Sequence, residues 1–376
     1  MTELGILIIC TIPTALLIRW VPAQFQLYCI IASCVAFMMY LDSVSLAILL
    51  CTMLVVYLSL NYMTSHRLAI LIPLLLLNMI FIYYKINVIS SINSPTQKLI
   101  PLGLSYYIFR QLHLIIEFYK QKIQKVDWVE FISYMLFAPV MIVGPINRFD
   151  DWRREIQRRR WDAVLFSQGL ERILYGMVKI VILGNYLITF KLGTYIDLLD
   201  SQALWFKTYL QCFQYAANAY IQFSGYSDVA IGLSMLFGIR IMENFNFPFI
   251  ASNINDFWNR WHISLSSWCR DYIFMPFASY FRRPWIGIIS SMLVLGLWHE
   301  FSYRYLLWAL FHGIGIVIWN LFNKHVDLNF EGGYKYLWKG FSILITQNFV
   351  IVSFAWIKDQ SIEATLTTFK ILIGIN

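Results

Sequence analysis

The chain has 376 residues, of which 59% are hydrophobic and 18% aromatic, with only 13% charged and a net charge of +8. Soluble domains carry about a quarter charged residues, so this composition excludes a soluble fold and implies an integral membrane protein. The excess positive charge lies in short stretches between apolar runs, where it reads as topology signals and headgroup contacts, not as a nucleic-acid surface.

At about 20 residues per span, the length suits one polytopic domain of roughly ten or more transmembrane helices. The first apolar runs cover residues 4–18, 25–41, 44–62, 68–84 and 99–118. Arg19, His66-Arg67 and Lys120-Gln121-Lys122 alternate along them, which orients the N-terminus outside and the basic ends inside. Run 4–18 is followed by Arg19 and Pro22, not by a small-residue cleavage site, so no cleaved signal is expected. The six cysteines lie mostly inside apolar runs without metal or redox spacing and read as small buried hydrophobes.

Residues 129–146 break the alternation. They are apolar, yet Lys120 to Lys125 precede them and the run RFDDWRREIQRRR follows at 148–160, so both flanks call for the cytoplasm. Pro139 and Gly144-Pro145 argue against a straight helix, because proline removes a backbone donor. A re-entrant hairpin enclosed by protein is expected. The arginine run reads as a solvated helix face. Further spans are expected in 164–190, 204–237, 285–298, 305–321, 337–356 and 362–375. The organisation is therefore one membrane domain, 1–376: N-terminal spans to 98, a core at 99–323 and C-terminal spans at 324–376.

Polar residues crowd into 244–276, NFNFPFIASNINDFWNRWHISLSSWCRDYIFMP. Pro248 ends what precedes it, Ser252 or Asn253 caps a helix, and Asp256 suits its first turn. Trp258, Trp261, Leu265, Trp268 and Tyr272 then form one stripe, with His262, Ser266 and Cys269 beside it. An intramembrane histidine is either satisfied by a core neighbour or functional. His299 ends an apolar run where a neutral imidazole accepts a hydroxyl proton. His299-Glu300 opens like HExxH, but Tyr303 stands at the second ligand position, so no metal site is expected. His312 falls about 220° from His299 on one continuous helix and shares a site with it only if residues 301–303 break that helix. His66, His113 and His325 are expected to be non-catalytic. The run GYSDV at 225–229 lacks the second glycine of a nucleophile elbow. Asp228 reads as an embedded carboxylate that either pairs with an arginine for structure or orients a catalytic group.

In order, PLGLSYY (101–107), GPINRF (144–149), FSGYSDVAIG (223–232), ENFNFP (243–248), FWNRWHISLS (257–266) and GLWH (296–299) resemble the membrane-bound O-acyltransferase (MBOAT) family. The resemblance is to its bacterial branch, which holds the alginate O-acetylation and teichoic-acid D-alanylation proteins. It implies an all-α bundle with re-entrant segments around a central funnel, in the bacterial cytoplasmic membrane. It also implies that His299 is catalytic, that His262 is the second histidine, and that an acyl group passes from a cytoplasmic thioester to an outer acceptor. Acetyl-CoA as donor, an envelope glycan as acceptor and a separate extracytoplasmic transferase follow as expectations, with no bound cofactor. Trp261, Trp268 and Trp298 are expected to wall the passage. Asn244, Asn259, Arg260 and Asp228 are expected to support it, and Arg270-Asp271 to form a buried ion pair fixing the His262 helix. Glu300 and Asn259 depart from the family pattern, which has glycine and commonly arginine there. Two alternatives stay open: D-alanyl transfer to teichoic acid from a carrier protein, and a proton-coupled transporter or flippase with a histidine relay.

Overall fold

The computed structural model describes residues 2–63, 67–91, 101–200, 203–326 and 332–375, and the regular elements among them are all helical. His66 lies outside the described residues. Among the described residues, five helices are long and apolar enough to cross a bilayer: Ala23–Leu41, Ser43–Asn61, Ala163–Leu198, Tyr303–His325 and Gly333–Lys358. Glu3–Ile18, Leu71–Ile86 and Pro284–His299 are shorter apolar helices. Trp20, Tyr40 and Leu198 are each at least 75% exposed. Apolar side chains displayed this way are costly against water and cost nothing against lipid.

Two expected spans take a different form. Leu204–Leu236 is a single 33-residue helix with Gln222, Ser224, Ser227 and Asp228 along its later half. Leu104–Tyr119 buries Arg110, Gln111, His113 and Glu117 among its apolar residues, so protein surrounds it and lipid does not. The cysteines also differ from expectation. Cys34, Cys212 and Cys269 are buried, but Cys10 and Cys51 are exposed on helix surfaces that lipid can cover equally well.

Two compact units emerge. One comprises Met1–Gly176 with Tyr226–Met242, the other Met177–Gly225 with Glu243–Asn376. In the first, Gly169 and Gly232 let two helices cross closely: a Cβ on either would meet the other's carbonyl oxygen at 2.8 or 2.6 Å. Small residues at such crossings let helix backbones approach. The crossing brings Arg172 Nε to donate to Asp228 Oδ1 at 2.8 Å, the structural pairing among the two readings of that carboxylate.

The break expected at 129–146 is present in the same unit. Trp128–Leu136 starts at Asp127, whose side chain accepts from the Val129 and Glu130 amides. The helix ends at Phe137, a single 3-10 turn holds Pro139, and regular structure resumes only at Phe149–Arg158. Side chains tie the two arms together: Tyr134 Oη donates to the Asn147 carbonyl at 2.6 Å, and Trp152 Nε1 donates to Ser133 Oγ at 3.2 Å. His113 Nε2 accepts from the Phe149 amide at 3.0 Å, which gives that histidine a structural task.

In the second unit, Pro284–His299 and Tyr303–His325 pack as an antiparallel pair. Gly296 permits the contact, because a Cβ there would lie 2.6 Å from the Tyr305 carbonyl oxygen. Arg304 pins the turn between them. It donates to both Glu300 carboxylate oxygens, at 2.9 and 3.2 Å, and to the Asp359 carbonyl at 3.0 Å.

Candidate active site

The 253–274 stretch is not one helix. Asn253 caps the first piece, Ile254–Arg260, with Oδ1 accepting from the Asp256 amide at 2.8 Å. The chain then breaks at Trp261 and His262, restarts as Ile263–Cys269, and widens to a π-turn over Arg270–Phe274. The cause is local: His262 sits at φ +46°, ψ +52°, a left-handed conformation unusual for a residue with a Cβ. Helical spacing therefore does not carry one stripe through Trp258, Trp261 and Trp268. Strained backbone of this kind persists where surroundings over-determine it.

Asn244 supplies that over-determination. Its carbonyl accepts from the Ile263 amide at 2.9 Å, and its side-chain oxygen accepts from Ser264 N at 3.3 Å and Ser264 Oγ at 2.9 Å. The same oxygen lies 3.1 Å from His262 Nδ1. A backbone N–H is only a donor, so the Asn244 atom facing Ser264 N must be oxygen. His262 Nδ1 must then carry the proton, and Nε2 presents a lone pair. Nε2 has no hydrogen-bond partner, although His262 is only 1% exposed. Burial leaves an oriented, unsatisfied acceptor, which is how a base or a substrate contact is prepared.

Around it the aromatic rings form a continuous cluster. Trp298 lies 5.5 Å from His262 and 4.8 Å from His299 between ring centroids, and the two imidazoles are 6.5 Å apart. Tyr305 stacks on His299 at 5.5 Å, and Phe223 packs edge-on against His262 at 4.6 Å. The helix does break at 300–302, and His312 joins from the far side. Its ring is 4.8 Å from Trp308, which in turn is 6.1 Å from His299. His312 Nε2 pairs with Ser353 Oγ at 2.8 Å. Ser264, Tyr305, Trp308 and Ser353 escaped the sequence reading because each lies on an ordinary helical face; Asn244 holds Ser264, His312 meets Ser353, and the chain reversal at 300–302 brings Tyr305 and Trp308 beside His299.

The remaining residues divide. Trp298 belongs to the histidine cluster, and Trp261 stacks on Phe257 at 5.3 Å near Phe245. Trp268 packs on Tyr272 at 5.0 Å. The principal cavity of this unit, about 350 Å³, is walled instead by Trp258, with Asn259, Ser266, Ser267 and Arg270 on its polar side and Met292 and Leu295 on its apolar side. None of the three tryptophans expected to wall a passage lines it. Arg260 donates to Asp256 Oδ1 at 2.7 Å and to the Asn246 carbonyl at 3.2 Å, tying the helix end to the segment that carries Asn244. Arg270 and Asp271 do pair, at 3.0 Å, but their side chains are 59% and 41% exposed, so the pair is not the buried clamp expected. Glu300 is engaged by Arg304. Asp228 and Arg172 belong to the other unit.

Helical elements with exposed apolar faces, and a buried histidine beside a second histidine, define a polytopic membrane protein with titratable side chains in its interior. The sequence matches the membrane-bound O-acyltransferase family over residues 7–355, and the chain belongs to that family. It is 35% identical over 228 residues to the probable alginate O-acetylase AlgI of Pseudomonas aeruginosa, covering 59% of this chain and 43% of that protein. It is 32% identical over 319 residues to the teichoic acid D-alanyltransferase of Streptococcus thermophilus, covering 77% and 73%. To the peptidoglycan O-acetyltransferase of Helicobacter pylori it is 26% identical over 309 residues, covering 74% and 58%. The chain thus spans less than half the length of the alginate relatives it matches.

Proposed function

We propose that this protein is an O-acyltransferase of the bacterial cytoplasmic membrane, moving an acyl group from a cytoplasmic thioester toward a hydroxyl of an envelope glycan. The observation that carries the reading is the family match combined with a buried His262 whose Nε2 lone pair is held ready beside His299. The acceptor oxygen attacks the thioester carbonyl carbon while His299 takes its proton. The tetrahedral intermediate collapses, the carbon–sulfur bond breaks, and the thiolate leaves with that proton, so ester and free thiol are the products. His262, through its Nε2 lone pair, accepts from and orients the incoming hydroxyl or passes the proton on. The apolar surroundings keep water from the thioester, and the cavity beside Trp258 offers amide and hydroxyl groups to a sugar.

Acetyl from acetyl-CoA is the favoured group, and a separate extracytoplasmic transferase finishes delivery to the glycan. The second reading, D-alanyl transfer from a carrier protein, draws support from the greater coverage of the D-alanyltransferase match. Membranes containing the chain, supplied with labelled acetyl-CoA or with labelled D-alanyl carrier protein, separate the two. Transfer from one donor, lost in His299→Ala at equal protein level, supports the reading. Full transfer in His299→Ala sinks it.

A further inference from the structure

The arginine run that follows the broken segment reads from sequence as a solvated helix face, and Arg154 and Arg158, both exposed, rim a second cavity of about 270 Å³ within the first unit. Asn147, Arg154, Glu155, Arg158 and Arg240 line it, together with Asp151. Asn147 is 5% exposed and its Nδ2 has no hydrogen-bond partner, so a buried donor on the cavity wall is unused. The position of that donor is built in. The Asn147 carbonyl is held by Tyr134 Oη at 2.6 Å, and Phe149 immediately after it is anchored on His113 at 3.0 Å.

Each carboxylate of the lining has one oxygen engaged. Asp151 pairs with Arg154, and Glu155 Oε2 accepts the Arg240 amide at 3.1 Å. The Arg158 and Arg240 guanidinium groups pair with no carboxylate among the described residues. The lining thus sets three exposed rim arginines against two carboxylates, an excess of positive charge, and adds the buried Asn147 Nδ2 donor. A ligand that meets these groups is an anion rich in acceptor oxygens. Phosphate esters match, because guanidinium forks meet phosphate oxygens in pairs and a neutral amide N–H takes a third.

We propose that this cavity is a phosphate-ester subsite, formed by Asn147, Arg158 and Arg240. Two sources share that chemistry: the phosphate-bearing end of the acyl-thioester donor, and an anionic lipid headgroup. The donor source rests on the acyl-transfer reading above; the phosphate-ester site does not.

The test uses the whole 376-residue chain in detergent and in phosphatidylglycerol nanodiscs, as wild type, Arg158→Gln, Arg240→Gln and Asn147→Asp, each checked for an unchanged gel-filtration profile. Binding of labelled coenzyme A is measured, with pantetheine, which lacks phosphate, as competitor. Retention of phosphatidylglycerol is read in parallel by native mass spectrometry. A tenfold or greater loss of coenzyme A affinity in the arginine variants, with pantetheine competing poorly against wild type, establishes the site with the donor as its occupant. Loss of phosphatidylglycerol retention with coenzyme A binding unchanged establishes it with a lipid headgroup. If both arginine variants keep coenzyme A affinity and lipid retention at wild-type values, the proposal is overturned. Wild type that binds coenzyme A through these arginines but transfers no acyl group sinks the acyl-transfer reading and leaves the subsite standing.

Discussion

Two stretches of this chain, 128–158 and 244–269, break helices and bury polar groups, and they differ in the sign of what they leave unmet. Around His262 the unsatisfied atom is Nε2, an acceptor, made so because Asn244 takes the proton-bearing side of the ring. Around Asn147 the unsatisfied atom is Nδ2, a donor, with two arginines on the same cavity. One environment calls for a proton and the other for an anion. A buried polar group left without a partner costs about 1–3 kcal/mol, so each is a cost a ligand can recover. The comparison teaches that the hydrogen-bond inventory separates the two, whereas their composition, aromatic and basic residues near a break, does not.

The strongest way to break the comparison is to remove the proposed base. His299→Ala should lower acyl transfer by about 10³-fold, within the span of general-base contributions, measured with labelled donor in membranes at matched protein level. Asn244→Ala should be next. It frees the His262 ring and strips acceptors from Ser264, costing about 1–3 kcal/mol in thermal stability in detergent. Because the ring is no longer aimed, the transfer rate should also fall at least about tenfold. Wild-type turnover in that variant would mean the tautomer clamp does not matter.

A smaller effect is expected in the first unit. Asp228→Asn removes the partner of Arg172, and that arginine, 30% exposed, retains some solvation. The melting temperature should drop by the equivalent of about 1–3 kcal/mol, below the value for a fully buried pair. The smallest change is Asp271→Asn. The Arg270–Asp271 pair is about half exposed, so its loss should shift stability by about 1 kcal/mol or less, read by the same thermal assay. A large loss there would restore the buried-clamp view that the exposure of this pair argues against.

Sequence alone determined the class. A chain that is 59% hydrophobic can only be solvated by lipid, and Pro139 with Gly144-Pro145 marked the broken segment because proline cannot continue a helix. Local chemistry was legible as well: Asn253 caps as its side chain dictates, and Asp228 finds the arginine an embedded carboxylate requires. The blocks from GPINRF to GLWH marked the family, and both histidines of the candidate site lie in them. What only the tertiary structure decided is how those polar groups meet. The left-handed backbone at His262 has no local sequence signal, because no glycine marks it and the cost is borne by Asn244, eighteen residues away. His312 reaches the histidine cluster only because the chain reverses at 300–302, and periodicity along one helix cannot report a reversal. Arg158 and Arg240 share a cavity for the same reason: which charges remain uncompensated depends on every neighbour in space, and spacing along the chain records only those on the same helix face.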